Sequence, residues 1–206
     1  MDMGRDFRMS LTKENLMRAF SGESQARNRY TLAAEAAHTA KMPMIERVFN
    51  FTAEQEKEHA AIFYDFLKEF NGEEIKIDAS YPINVSDNLF EMLSWAKDNE
   101  MAEYETVYAD FARVANQEWY REIAAKFALI AEIEKCHGER FRVLAELYWQ
   151  DKLFSSSEPV KWMCLNCGHI YTGIKVQKIV LFARTGTGIS FARSMRRIIS
   201  AEFKNL

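Results

Sequence analysis

The sequence is short of the residues that interrupt regular structure. Its 206 residues include only 8 glycines and 3 prolines, and this scarcity favours helices over many short strands and tight turns. Cysteine is scarce too. There are three, an odd number, and two of them form one Cys-x-x-Cys pair at Cys164 and Cys167. That argues against a disulfide framework and fits a reducing cytoplasm with a metal or redox role for the pair. No run of about 18 apolar residues occurs, so no membrane span is expected. The opening stretch, Met1 to Arg8, lacks the apolar segment of a secretory signal. A net charge of −3 gives the chain as a whole no case for nucleic acid. The charge is uneven, however. Residues 171–206 hold seven Lys/Arg against one Glu, a basic tail on an otherwise acidic chain.

What the chain has in abundance is helical periodicity. Residues 11–40 carry Leu16, Ala19, Glu23, Ala26, Tyr30, Ala33 and Ala37 at alternating spacings of three and four, with Ser10 or Thr12 as the cap. Lys41-Met42-Pro43 is a short turn, and Pro43 suits the first turn of a second helix over 44–70. The apolar stripe of that helix is Ile45, Phe49, Thr52, Glu56, His59, Phe63, Phe66 and Phe70. Asn71-Gly72 ends it. After a long connection, 71–88, Ser86 or Asp87 caps a third helix over about 88–115, with Leu89, Leu93, Ala96, Glu100, Glu103, Val107, Phe111 and Val114 on one side. Asn116-Gln117 turns the chain into a fourth helix, about 118–150, carrying Phe127, Ile130, Glu134, His137, Phe141, Leu144 and Tyr148. Two short loops and one long middle connection describe two antiparallel hairpins joined by a crossover. That is the ferritin-like variant of the four-helix bundle.

Five glutamates and two histidines thus fall on stripes that are otherwise Leu, Ile, Phe, Val and Ala. Buried carboxylates without a counter-charge are costly. Any one of them is tolerable as a hydrogen-bonded core residue, but five in one dry layer require cations. Each Glu-x-x-His pair, Glu56/His59 and Glu134/His137, presents both side chains on one side of its helix. Glu23 and Glu100/Glu103 supply carboxylates from the other two helices. Oxygen ligands with two imidazoles point to a di-iron site, or a di-manganese one. Zinc usually takes fewer and softer ligands, and calcium or magnesium does not call for two histidines.

Taken in order, five stretches resemble the rubrerythrin family. They are Gly22-Glu23-Ser24-Gln25-Ala26-Arg27-Asn28-Arg29-Tyr30; Glu56-x-x-His59; Asn99-Glu100-x-x-Glu103; Glu134-x-x-His137; and Trp162-x-Cys164-x-x-Cys167-Gly168. Ser155-Ser-Ser-Glu-Pro159 makes 153–160 read as a linker by composition, and the resemblance implies an all-α main domain over 1–152 before it and a rubredoxin-like unit from 161. It implies two irons bridged by Glu56 and Glu134. Glu23 would serve one iron, with Glu103 in the oxidised site and His59 in its place in the reduced site. Glu100 and His137 would serve the other. Tyr30 and Tyr108 would hydrogen-bond the ligand carboxylates and join Glu103 and His59 in the catalytic set. The implied activity is reduction of hydrogen peroxide in a cytoplasmic homodimer. Electrons from NAD(P)H would arrive through rubredoxin or an NAD(P)H-dependent reductase. Iron oxidation and storage, or a bundle that binds metal without catalysis, are the alternative readings.

The sequence departs from the resemblance at its end. A rubredoxin-type iron takes two Cys-x-x-Cys pairs. This chain has only Cys164 and Cys167 in a partial unit, 161–178, because Cys136 lies in the fourth helix. A four-cysteine site within one chain is therefore incomplete. His169 with the two cysteines is a further, three-ligand alternative for zinc. Residues 179–206 are atypical. Back-translated and read two bases on, Ile179 to Arg184 gives Cys-Pro-Val-Cys-Ala, so one reading of the tail is a shifted frame. The other is a disordered or loosely helical basic tail. Thr185-Gly-Thr-Gly188 lacks the lysine of a phosphate loop. Cys136 reads as a passive small side chain, and His38 as a solvent-facing residue.

Overall fold

The computed structural model describes residues 6–164, 168–176 and 190–192. Cys167, Thr185–Gly188 and most of the stretch read as a shifted frame lie outside the described residues. The chain forms two compact units, Met1–Gly138 and Glu139–Leu206, and each is treated by itself below.

The helices are α1 (Leu11–Thr39), α2 (Pro43–Phe66), α3 (Leu89–Ala102), α4 (Tyr108–Gln117) and α5 (Arg121–Trp149). Ser10 caps α1 by accepting a hydrogen bond from the Lys13 amide, and Pro43 occupies the first turn of α2. A short 3₁₀ turn, Lys68–Phe70, follows α2, so the α-helix itself ends earlier than 70. Gly72 then takes φ +85°, a backbone setting that side chains resist. Neither Ser86 nor Asp87 caps α3. Asn88 does, accepting from the amides of Phe90 and Glu91. The bend after α4 falls at Glu118–Tyr120 rather than at Asn116-Gln117, with Trp119 at φ 72°.

The third helix is not continuous as the spacing suggested. A π-helical segment, Glu103–Val107, separates α3 from α4. A π turn holds an extra residue, which moves the inward stripe by one position. Glu100 is buried before it, and Tyr108 and Ala115 are buried after it, where the uninterrupted register had Val107 and Val114.

One apolar cluster of the first unit includes Leu16, Phe63, Leu67, Tyr108, Phe127 and Ile130. Phe63 and Tyr108 pack on Phe127 at 5.1 and 5.9 Å between ring centres. Farther along the same helices, Tyr30 and Phe49 pack at 5.8 Å. The charged layer sits between these two aromatic groups. Glu118, buried, accepts from the amides of Leu11 (3.1 Å) and Thr12 (2.8 Å) and from the Thr12 hydroxyl (2.7 Å). It thereby satisfies donors that the start of α1 leaves open.

In the second unit β1 (Ser155–Cys164), β2 (Ile170–Lys175) and β3 (Ser190–Ala192) form an antiparallel sheet in the order β2-β1-β3. Ser155 to Pro159, read from composition as linker, is the first half of β1 and pairs with β2 across a register shift. The tail, expected to be disordered or loosely helical, contributes the strand Ser190–Ala192. Trp162 is buried, and its indole N–H donates to the Gly173 carbonyl at 2.7 Å. No described helix is long and apolar enough to cross a membrane.

Candidate metal centre

Helical spacing delivers the charged side chains to one level. Glu23 comes from α1, Glu56 and His59 from α2, Glu100 from α3, and Glu134 and His137 from α5, and all six are buried. They form two groups, Glu23/Glu56/His59/Glu134 and Glu56/Glu100/Glu134/His137, each with one ligand atom per residue and all atoms within 4.8 Å of one another. Glu56 and Glu134 belong to both.

The way those two residues are shared is specific. His59 Nδ1 lies 3.1 Å from Glu56 Oε2 and 2.9 Å from Glu134 Oε1. His137 Nδ1 lies 3.0 Å from Glu56 Oε1 and 2.8 Å from Glu134 Oε2. Each carboxylate gives one oxygen to each imidazole. A terminal carboxylate completes each set: Glu23 Oε2 at 3.8 Å from His59, and Glu100 Oε2 at 3.5 Å from His137. The two rings are nearly parallel, with centres 5.6 Å apart.

His59 Nδ1 and Glu56 Oε2 pair at 3.1 Å, but the other atoms of the layer do not satisfy one another. Glu23 Oε2, Glu56 Oε1, Glu100 Oε2, both Glu134 oxygens and His137 Nδ1 are buried without a hydrogen-bond partner. Buried polar atoms are nearly always paired, so a cluster of converging unpaired oxygens and imidazole nitrogens fits two cations. The outer oxygens of the terminal carboxylates are held. The Tyr30 hydroxyl donates to Glu100 Oε1, and the Tyr108 hydroxyl donates to Glu23 Oε1. Each tyrosine thus steadies the terminal carboxylate of a different group.

Protonation follows the crowding. Burial, then the charge of Glu56, pushes Glu100 up to about 8. Burial and Glu134 push Glu23 well up. Burial raises Glu134 less than the two imidazoles lower it, and its carboxyl ends below the ordinary range. Glu56 is likewise lowered, burial and Glu134 being outweighed by the imidazoles. Burial acts to lower both histidines, but the carboxylates around them hold them above their ordinary value. Burial raises both tyrosines, with Glu100 adding at Tyr30 and Glu23 at Tyr108.

Glu103 stands apart. It opens the π segment, is part-buried, and belongs to neither ligand group. Burial, Glu100 and Glu23 raise its carboxyl well above the usual range. Gly138 follows His137 because space runs out there. A Cβ on it would lie 2.9 Å from Met101 Sδ and 3.4 Å from Glu100 Cβ. Sequence reasoning missed this approach and the π turn. Gly138 directly after a ligand histidine was the visible signal.

Of the remaining candidates, Cys164 is buried at the end of β1. Its amide donates to the His169 carbonyl at 2.8 Å, and the Gly168 amide donates back to the Cys164 carbonyl at 2.9 Å. Cys136 is exposed. His38 is exposed too and faces Glu46 at 3.1 Å.

Comparison with known proteins agrees with this geometry. The rubrerythrin family model matches residues 14–145. The rubrerythrin of Clostridium perfringens is 42% identical over 163 residues, covering 79% of this chain and 84% of that protein. The rubrerythrin of Porphyromonas gingivalis is 38% identical, over 86% and 88%. Among solved structures, mixed-valence nigerythrin superposes with a TM-score of 0.60 at 24% identity, over 92% of this chain and 90% of that one. Dithionite-reduced symerythrin from Cyanophora paradoxa gives 0.53 at 21%, over 64% and 83%. Both structural likenesses speak to the ferritin-like fold. With the family match spanning most of the bundle and relatives well above 30% identity, the chain belongs to the rubrerythrin family.

Proposed function

We propose that the chain is a di-iron peroxidase that reduces hydrogen peroxide to water. The electrons originate in NAD(P)H and arrive through rubredoxin or an NAD(P)H-dependent reductase. The observation that carries this reading is the shared geometry of Glu56 and Glu134, one oxygen of each facing each imidazole. Glu56 and Glu134 would be shared by two irons, with Glu23 and His59 completing one site and Glu100 and His137 the other. Two ferrous ions bound by these residues would supply the two electrons needed to cleave an O–O bond.

The protein's own part is placement and proton control. Tyr30 and Tyr108 fix the terminal carboxylates. His59 lies in the ligand layer while Glu103 lies outside it, which is the arrangement expected of the reduced site. Glu103, favouring its protonated form, would hold a proton beside the centre and would be the carboxylate available in place of His59 in the oxidised site. The aromatic groups on either side of the layer keep bulk water out. Cys164 and Cys167 are two of the four ligands a rubredoxin-type iron needs, so electron entry relies on an external donor. The functional unit is a homodimer in the cytoplasm, with a bundle domain over 1–152.

Anaerobic iron analysis followed by peroxide titration tests the proposal. The expected result is about two irons per chain, with one peroxide consumed per di-ferrous centre. The visible band of a ferric four-thiolate centre should be missing. Iron accumulating far beyond two per chain without peroxide consumption would make the protein a storage bundle. A folded, metal-free protein that ignores iron would end both readings.

A further inference from the structure

We propose that the first unit carries a second binding site, a cavity for an amphipathic carboxylate whose charge is met by Arg29. The cavity measures about 540 Å³ and is bounded by α1, α2, α3 and the connection before α3. That volume lies within the range of small-molecule sites and far exceeds what a peroxide fills. Its walls are mostly apolar, with Leu32, Phe49, Ile83, Val85, Met92 and Trp95 among them. Ile83 and Val85 are 89% and 85% exposed, and Leu32 is 64% exposed, so the walls continue outward as an uncovered apolar rim.

Arg29 lines this apolar space, and its Nε and Nη1 are buried without a hydrogen-bond partner. A guanidinium in that state is costly, and its fork of N–H donors matches a carboxylate. Asn84, Asn99, Ser86 and Tyr30 of the lining have partners already. Asn99 Nδ2 donates to Asn84 Oδ1 at 2.9 Å, the Ser86 hydroxyl donates to Glu91 Oε2 at 2.6 Å, and the Tyr30 hydroxyl donates to Glu100. Arg29 is the lining charge with an unmet demand, and the rim is apolar. An anionic head joined to a hydrocarbon body answers both. The Tyr30 ring is also a wall of the cavity, so an occupant touches the residue that steadies Glu100.

Calorimetric titration of the full-length, iron-loaded protein with decanoate tests the site, with decanol as the uncharged control. Decanoate should bind saturably at one per chain. Decanol should bind at least about tenfold more weakly, and Arg29→Met should weaken decanoate by a similar factor. Arg29→Lys should recover part of the loss. Arg29→Met should melt no lower than the parent, because it removes two buried donors that lack partners. Equal binding of decanoate and decanol, an unaffected Arg29→Met, or no saturable heat at all would overturn the proposal. So would a dimer that Ile83→Glu splits, with decanoate heat arising only in the split protein, since a second copy of the chain would then be the occupant. None of these readouts depends on peroxide turnover, so the site and the proposed activity can fail separately.

Discussion

The His59 group and the His137 group are assembled from the same parts. Each has one imidazole, one terminal carboxylate braced by a tyrosine, and one oxygen from each of Glu56 and Glu134. They differ in what surrounds those parts. The His137 side is closed by the approach of Met101 over Gly138, and its imidazole is fully buried. The His59 side has a spare carboxylate, Glu103, set outside the ligand groups by the π turn, and a slightly exposed imidazole. One half is built to stay as it is. The other, on the function proposed above, has two candidates for one position.

Glu134→Ala should break the comparison altogether, because Glu134 gives an oxygen to each side. Metal content should fall from about two ions per chain to below one, with helical circular dichroism retained; elemental analysis of the purified variant measures it. The histidines should then tell the halves apart. His137→Ala should lose about one metal per chain, whereas oxidised His59→Ala should keep about two because Glu103 takes over. Equal losses would show that the halves are equivalent. Tyr108→Phe and Tyr30→Phe should each weaken metal binding by about 10- to 100-fold, the usual range for a lost partner of a ligand. The Tyr108→Phe loss should fall on the His59 side, and competition with a chelator would measure both.

The smallest effect is a pH slope in the metal-free protein. Glu100 is raised from 4.5 to about 8, so it holds its proton more tightly folded than unfolded. The stability this adds is complete below 4.5 and is lost as the pH climbs to 8. Glu23 and Glu103, also raised, act in the same direction. So do His59 and His137, raised from 6.5, whose contribution is lost as the pH rises above that value. Glu56 and Glu134, both lowered, act at the other end and lose their contribution as the pH falls below 4.5. Thermal melts of metal-free protein should therefore decline by several degrees from pH 5 to pH 8. Iron-loaded protein should show the opposite slope, because metal binding displaces those protons.

The ligand layer could be read from the chain because it violates the pattern around it. Carboxylates at Glu23, Glu56, Glu100 and Glu134 occupy positions where helical spacing demands apolar side chains. The π turn at Glu103 was hidden for the opposite reason. Glu100, Glu103 and Val107 also fit an uninterrupted α stripe, and only packing reveals that Tyr108 and Ala115 face inward instead. At the start of α3, Ser86, Asp87 and Asn88 are adjacent residues of capping type, and composition alone cannot rank them. Ser155 to Pro159 looked like a linker because serine and proline are common there. Pairing with β2 makes it a strand, which is information held by a distant partner, Lys175 against Ser155. Arg29 sat inside a recognised motif, and its unpaired nitrogens became visible only once its surroundings were assembled.

Glu118 sets an order of events on the chain. Its carboxylate reaches Leu11 across 107 residues, whereas α1 and α2 are joined by a three-residue turn and can meet as soon as both exist. Contacts between near neighbours close quickly, and those spanning most of a domain wait until the intervening entropy has been lost. The amides of Leu11 and Thr12 thus gain their acceptor only when the end of α4 has reached the start of α1. A bond at one end of the bundle, remote from the ligand layer, waits for the whole chain from α1 through α4 to come together.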